Sequence, residues 1–152
     1  MKTAVFAGSF DPITRGHESI VRRALPLFDH IIVAIGVNQD KTGYFPLEKR
    51  LEWIGQVFSD CPSVSVESYN GLTVDFCMRR NASYLIRGLR TSADFEFERS
   101  VAQVNNRLTP SIETVFLLTQ PEFVMITSSI VREVHKCGGN ISQFIPETIQ
   151  IG

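Results

Sequence analysis

The sequence predicts an α/β fold, a doubly wound five-stranded parallel sheet, on three observations. Short apolar runs alternate with longer amphipathic ones along the chain, the pattern of successive right-handed βαβ units. The run Ile31-Ile32-Val33-Ala34-Ile35 is unbroken and mostly β-branched, as expected of a strand covered on both faces. With 152 residues, 43% of them apolar and 20% charged, the chain suits a single domain, 1–152, with a substantial core.

Each element follows from local pattern. Lys2 to Gly8 reads as a buried strand, and Gly16 to Phe28 as a helix with Ile20, Ala24 and Leu27 on one face. The second strand is expected over His30 to Val37. Pro46 stands at a plausible first helical position, and Leu47, Leu51, Ile54 and Phe58 recur at helical spacing after it. Ser63 to Glu67 alternates like a short strand, Leu72 to Arg80 reads as a helix whose Thr73, Val74 and Phe76 face the core, and Tyr84 to Arg87 as another short strand. Ser92 to Leu108 is a long polar-rich helix, and Thr114 to Leu118 the fifth strand. Ser128 to Lys136 is a helix closed by Gly138-Gly139. No repeat or linker interrupts this order.

Composition removes several function classes. A formal net charge of -1 argues against a nucleic-acid partner. Cys61, Cys77 and Cys137 are dispersed and odd in number, with no zinc-ligand spacing, which fits thiols in a reducing compartment. The opening apolar run, Thr3 to Ala7, is too short for a secretory signal or a membrane span, so no membrane partner and a cytoplasmic location are expected.

Open α/β sheets bind ligands beyond the carboxyl ends of their strands, so those segments are where chemistry is sought. The first is Gly8-Ser9-Phe10-Asp11-Pro12-Ile13-Thr14-Arg15-Gly16-His17. It is neither of the common glycine-rich phosphate loops. Its physics still suits phosphate: Gly8 permits close backbone approach, Ser9 offers a hydroxyl and an amide, and Gly16 a tight helix entry. His17 falls in the first helical turn, where amides and dipole favour an anion.

Lys41 follows the second strand as a mobile point charge; taken alone, a solvated loop lysine is the stronger reading. Arg87 and Arg90, hinged on Gly88, end the fourth strand. They could grip phosphate oxygens in planar forks or pair with Asp94 and Glu98 on the next helix. Thr127, Ser128 and Ser129 open the last helix, as a cap, as a cradle for phosphate, or both. Arg132 lies one turn further along the same face.

The string Thr14-Arg15-Gly16-His17 resembles the histidine signature of the nucleotidyltransferase superfamily. Its lead-in Gly-Ser-Phe-Asp-Pro-Ile is similar to the version in the phosphopantetheine adenylyltransferase family, with Ser9 where threonine is more usual. Ile-Arg-Gly-Leu-Arg at 86–90, with Ala93-Asp94-Phe95-Glu96 after it, looks like a second block of that family. Ile126-Thr127-Ser128-Ser129 with Arg132 looks like a third, departing only at Thr127. The resemblance runs through the whole chain in the right order.

That resemblance implies a Rossmann-like nucleotidyltransferase fold and adenylyl transfer from ATP to 4′-phosphopantetheine, giving dephospho-coenzyme A and pyrophosphate. It implies roles as well. Lys41, Arg87, Thr73 and Ser9 would contact the acceptor, and His17, Ser9, Lys41 and Arg90 would carry catalysis. Ser9, Phe10, His17, Gly88, Leu89, Arg90, Glu98, Ile126, Thr127, Ser128, Ser129 and Arg132 would contact ATP, with Phe123, Val124 and Met125 lining its adenine pocket. Mg2+ is expected only through ATP phosphates, with no protein metal cage. A homohexamer and feedback inhibition by coenzyme A are implied by the family alone.

A phosphomonoester's second pKa is about 6, so the attacking oxygen is already ionised near neutrality and needs no general base. That agrees with a motif set of cations and hydroxyls and no Ser/His/Asp-type triad. The competing expectations are a nucleotidyltransferase with another acceptor, such as nicotinamide mononucleotide or glycerol phosphate, and a non-catalytic nucleotide sensor.

Overall fold

The strand order β3-β2-β1-β4-β5, all parallel, places the reversal of winding between β1 and β4. The computed structural model describes residues 1–38 and 40–152. The elements are β1 (Thr3–Gly8), α1 (Arg15–Ala24), β2 (His30–Gly36), α2 (Leu47–Val57), β3 (Val64–Tyr69), α3 (Thr73–Arg79), β4 (Tyr84–Leu89), α4 (Ser92–Leu108), β5 (Glu113–Leu118) and α5 (Ser128–Lys136). The doubly wound five-stranded sheet read from the sequence is the one found.

The boundaries differ where side chains mislead. Pro26 stops α1 at Ala24, and Leu25–Leu27 becomes a single 3-10 turn. Leu27 therefore leaves the core face and is exposed, contrary to the expected stripe, whereas Ile20 and Ala24 are buried. Pro46 caps α2 from just outside it. Strand β3 runs on to Tyr69, because its edge position tolerates the polar Glu67 and Ser68 that seemed to end it. β4 runs through Arg87-Gly88 to Leu89 for a similar reason: backbone pairing with β5 continues past the last fully buried residue, Ile86. The two polar-capped helices, α4 and α5, begin and end where expected. Beyond α5, Gly138 takes a φ of +82°, which a side chain would resist.

The sheet separates two cores. One face buries Phe6, Ile31, Val33, Ile35 and Ile86 against Ile20, Ala24, Ile54, Val57 and Val131 from α1, α2 and α5. The other buries Val5, Ile32, Ala34 and Leu85 against Val74, Phe76 and Cys77 of α3. Thus Val74 and Phe76 are core, as expected, whereas Thr73 is only half-buried, its hydroxyl paired with Tyr69 Oη at the helix start. The segment after α5 also belongs to the first core: Ile141, Ile145 and Ile149 are each at most 4% exposed. It lies as a strap across the start of α1, where Arg15 N–H donates to Phe144 O at 2.9 Å and Arg15 Nε–H to Ile145 O at 2.9 Å. Among the described residues no helix is long and apolar enough to cross a membrane.

One detail of pairing positions the site. β1 and β4 are in register from Ala4/Tyr84 to Phe6/Ile86 and then part, while β1 stays paired with β2 to its end. The parted ends carry Ala7-Gly8 on one side and Arg87-Gly88 on the other. Arg87 bridges them by donating from Nη1 to Ala7 O at 2.7 Å.

Candidate active site

A cavity of about 570 Å³ opens above the point where β1 and β4 part. It collects the loop after β1, the end of β4, the face of α4 and the start of α5. Two helices, α1 and α5, present their first turns to it, so unpaired amides and two dipole N-termini converge on one volume.

The first turn of α1 holds His17 by reciprocal capping. Thr14 is the N-cap; its Oγ1 accepts from His17 N–H at 3.3 Å, and its own N–H donates to His17 Nδ1 at 3.0 Å. This is a capping box with histidine in the place usually taken by Glu or Gln. Because Nδ1 accepts a backbone N–H, the neutral ring carries its proton on Nε2. Burial, and then the charges of Arg87 and Arg90, lower the His17 pKa to about 4. Near neutral pH the ring is therefore uncharged, oriented, and left with Nε2–H as its donor. The Phe10 ring meets it edge-on, centroids 4.9 Å apart.

Phe10 has a φ of 45° and is only 2% exposed, its ring folded back beneath the loop. A Cβ on Gly8 would meet that ring at 3.3 Å, so glycine there makes room for Phe10. At Gly16 a Cβ would meet Thr14 Oγ1 at 3.5 Å and Phe123 Cβ at 3.6 Å, ordinary contacts. Since Gly16 lines the cavity, its lack of a side chain serves the space above the helix start more than the turn itself.

The arginines satisfy both readings left open by the sequence. Arg87 forms a two-pronged pair with Glu98, Nε to Oε1 at 2.6 Å and Nη2 to Oε2 at 2.8 Å. Arg90 pairs with Asp94 at 3.1 Å, one turn along the same helix start. Yet Arg87, Arg90, Asp94 and Glu98 all line the cavity. A guanidinium has five N–H groups, and Arg87 spends three on Glu98 and Ala7, so two remain for a ligand. The pairing aims the fork and offsets part of its charge. The cleft is accordingly less cationic than a count of its arginines suggests, and the helix N-termini weigh more.

At α5, Thr127 caps the helix, its Oγ1 accepting from Ile130 N–H at 3.1 Å. Ser128 Oγ–H donates to Pro12 O at 2.8 Å, and Arg132 donates to Asp11 O at 2.8 Å and to Ser129 Oγ at 3.2 Å. These contacts fasten the start of α5 to the loop after β1, setting the separation of the two helix N-termini.

Of the residues singled out from sequence, Ser9, Phe10, His17, Arg87, Gly88, Arg90, Glu98, Phe123, Ile126, Thr127, Ser128, Ser129 and Arg132 share this cavity. Thr73 lines a smaller one of about 130 Å³ that adjoins it through Ala7, Arg87, Phe97 and Glu98, and its Oγ1 is 2.7 Å from Tyr69 Oη. Leu89, Val124 and Met125 do not line either cavity, and Met125 is exposed. Neither does Lys41, an exposed residue of the loop between β2 and α2. His17, Arg87 and Arg132 thus share one cavity, and Lys41 does not line it.

Sequence reading quoted Thr14 and Asp11 within motifs but gave them no role of their own, and passed over Phe97 and Arg50. Thr14 was legible as a hydroxyl three residues before His17. Phe97 faces the cavity from a helix that read as polar. Asp11 and Arg50 interact only through the fold, at 4.0 Å and 39 positions apart in the numbering, and no local signal marks them.

Comparison with known proteins places this arrangement. The cytidylyltransferase-like family matches residues 5–134. The chain is 52% identical over 151 residues to the phosphopantetheine adenylyltransferase of Flavobacterium psychrophilum, covering 99% of each. It is 47% identical to that of Bacteroides thetaiotaomicron, again over 99% of each chain. To that of Caldanaerobacter subterraneus it is 42% identical, over 98% of this chain and 93% of the relative. Among solved structures, a nicotinate-nucleotide adenylyltransferase from Vibrio parahaemolyticus, so titled as putative, superposes with a TM-score of 0.64 at 19% identity, over 95% of this chain and 94% of that one. A bifunctional NMN adenylyltransferase/ADP ribose pyrophosphatase from Francisella tularensis gives a TM-score of 0.75 at 16% identity, over 97% of this chain but only 46% of that one. These two likenesses establish the fold; the full-length relatives go further, and the chain belongs to the phosphopantetheine adenylyltransferase family of cytidylyltransferase-like nucleotidyltransferases.

Proposed function

We propose that the chain transfers an adenylyl group from ATP to 4′-phosphopantetheine, releasing pyrophosphate and forming dephospho-coenzyme A. The observation that carries the reading is His17: neutral, locked by Thr14, and offering Nε2–H between two helix N-termini. A phosphate oxygen of the acceptor attacks the α-phosphorus of ATP as the bond to the β-bridging oxygen breaks. Charge then grows on the α-phosphoryl oxygens, and a preorganised neutral donor stabilises it without rearrangement. Ser9 assists from the same loop. Arg90, Arg132, Ser129 and the amides opening α5 hold the β- and γ-phosphates, and Ser128 keeps that helix start in place.

The two N–H groups left on Arg87 serve the acceptor phosphate, and Lys41 reaches it from its exposed loop on a four-carbon stem. Thr73 and the adjoining smaller cavity suit the acceptor's arm. Glu98 acts through Arg87, and its role toward nucleotide is indirect. Phe123 and Ile126 flank the adenine.

Mg2+ enters as part of MgATP in this reading. Among the described residues no three His, Cys, Asp or Glu side chains are grouped to hold a metal. The carboxylates of Asp94 and Glu98 are held by arginines and that of Asp11 by backbone amides, so the ion's ligands are phosphate oxygens and water. A reducing, cytoplasmic setting agrees with three free cysteines. The exposed Phe97, Val104 and Leu108 on α4, with Leu118 nearby in sequence at the end of β5, offer apolar surface for the homohexamer expected of the family. Coenzyme A, which shares the product's adenylyl-pantetheine frame, is the corresponding candidate inhibitor.

The test is pyrophosphate release from MgATP with and without 4′-phosphopantetheine. Release only with that acceptor supports the reading. Release with nicotinamide mononucleotide instead, or ATP binding without turnover, refutes it.

A further inference from the structure

We propose that Asp11 is a positioning residue for the acceptor half of the reaction, acting through the loop between β2 and α2. The inference rests on Lys41 serving the acceptor phosphate. Asp11 sits in the nucleotide loop but does not line the cavity; it is 7% exposed and turned away from the chemistry. Its carboxylate accepts two backbone N–H groups from the far loop, Tyr44 N to Oδ2 at 2.7 Å and Phe45 N to Oδ1 at 2.9 Å. Bonds of this kind, short and charge-assisted, are stronger than neutral ones.

Arg50, on the first turns of α2, completes the link. Its Nε lies 4.0 Å from Asp11 Oδ1 and donates to Phe45 O at 3.0 Å, while Nη1 donates to Ser9 O at 2.9 Å. A buried Asp/Arg pair thus ties the loop carrying Ser9 to the loop carrying Lys41. Were the second loop to drift, Lys41 would lose its place relative to His17, although neither residue had been changed.

The fastening is one-sided, and that makes it testable. The nucleotide loop is also held by Arg132 on Asp11 O, by Ser128 on Pro12 O and by Arg15 N–H on Phe144 O. None of these uses the Asp11 carboxylate. Asp11→Asn replaces one accepting oxygen with an N–H that faces the N–H of Tyr44 or Phe45. It therefore loosens the Lys41 loop, which keeps Arg50's bond to Phe45 O, and leaves the ATP loop anchored. Arg50→Lys removes the fork that joins Phe45 O to Ser9 O and so disturbs both loops.

Steady-state kinetics, calorimetric ATP binding and amide hydrogen exchange on the intact chain test this. Asp11→Asn is expected to raise KM for 4′-phosphopantetheine roughly tenfold, as loss of one charge-assisted bond allows, with Kd for ATP changed by less than about twofold. In a Lys41→Ala background the same substitution should add nothing further to that KM, since the two act in series. The Tyr44 and Phe45 amides should exchange faster in Asp11→Asn, and the Arg15 amide should not. Arg50→Lys should weaken both substrates; should Asp11→Asn fold poorly, Asp11→Glu, which keeps the charge but displaces its oxygens from Tyr44 and Phe45 N–H, carries the same acceptor-only expectation. Equal losses on both substrates in Asp11→Asn, an unchanged acceptor KM, or a full additive effect in the Lys41→Ala background would overturn the proposal. A wild-type chain that forms no product from these substrates refutes the functional reading instead; the exchange pattern still decides whether Asp11 holds the loop.

Discussion

Replacing His17 separates two duties that the structure loads onto one ring. His17→Ala removes the Nε2–H donor from the cavity and the Nδ1 acceptor from Thr14 N–H. Loss of one preorganised donor to developing oxyanion charge is expected to lower kcat by about 10²–10³, or roughly 2.7–4 kcal/mol of transition-state stabilisation, with little change in KM for ATP. Loss of the acceptor leaves the amide of Thr14, a residue only 1% exposed, without its partner, at a cost of about 1–3 kcal/mol in stability. His17→Gln parts the two effects, because glutamine at this position can close the capping box and yet places its amide elsewhere. Its stability should stay within about 1 kcal/mol of wild type while kcat still falls by at least about tenfold.

The same ring sets a pH signature. Its folded pKa, about 4, lies below the ordinary 6.5, so the unfolded chain binds the proton more readily between those values. Stability is thus full above about pH 6.5 and falls as pH drops toward 4, by up to about 3 kcal/mol. Denaturant unfolding of wild type and His17→Gln at pH 7, 5.5 and 4 measures the difference, which should grow in favour of the variant as acid is added. In the free enzyme, activity between about pH 5 and 8 should show no ionisation of His17, only that of the acceptor phosphate near about 6. A kcat for His17→Ala equal to wild type, or parallel acid profiles for wild type and His17→Gln, would refute the assignment of His17 as a neutral, capped donor.

Arg87→Ala should destabilise the fold by about 3 kcal/mol, the low end for an opened ion pair because Arg87 is partly solvated, while stranding the carboxylate of Glu98. Arg87→Lys should recover charge but not the two-pronged hold, so acceptor KM stays raised in steady-state assays. Ser128→Ala breaks the 2.8 Å bond to Pro12 O and should cost about 1 kcal/mol in denaturant unfolding, with a several-fold weaker ATP Kd by calorimetry as the two helix starts loosen. Gly43→Ala puts a Cβ 2.7 Å from Arg50 Nη2, and displacing that guanidinium should raise KM for both substrates, as for Arg50→Lys.

What could be read without coordinates was mostly local. Thr127 announced the start of α5 and Gly138 its end, because caps are made by residues a few positions apart; Thr91, which caps α4 in the same way, went unread. The apolar run at 31–35 announced the central part of the sheet. Strand ends carrying function were harder. Arg87 and Gly88 read as the close of β4, yet backbone pairing with β5 holds them in the strand, and polarity is a poor guide where a strand meets a ligand cleft. Leu27 failed as a core residue because Pro26 turns the chain before its face comes round. The long-range pairs were invisible: Asp11 with Arg50, and Arg87 with Ala7, join distant segments through the fold. Motif resemblance supplied the candidates, and the geometry then showed that Arg87 and Arg90 answer to carboxylates while they face the cavity, and that Lys41 stands apart from it.

The strap across α1 has a bearing on when this chain becomes competent. Ile145, which receives the Arg15 side chain, is made 130 residues after it. At about 5–20 residues per second a ribosome needs on the order of ten seconds for that interval. Throughout it the histidine helix lacks Ile141, Ile145 and Ile149 as a floor. A half-made polypeptide therefore carries the loop after β1 without the support that fixes its geometry, and the cleft takes its shape only once Ile145 and its neighbours have been made.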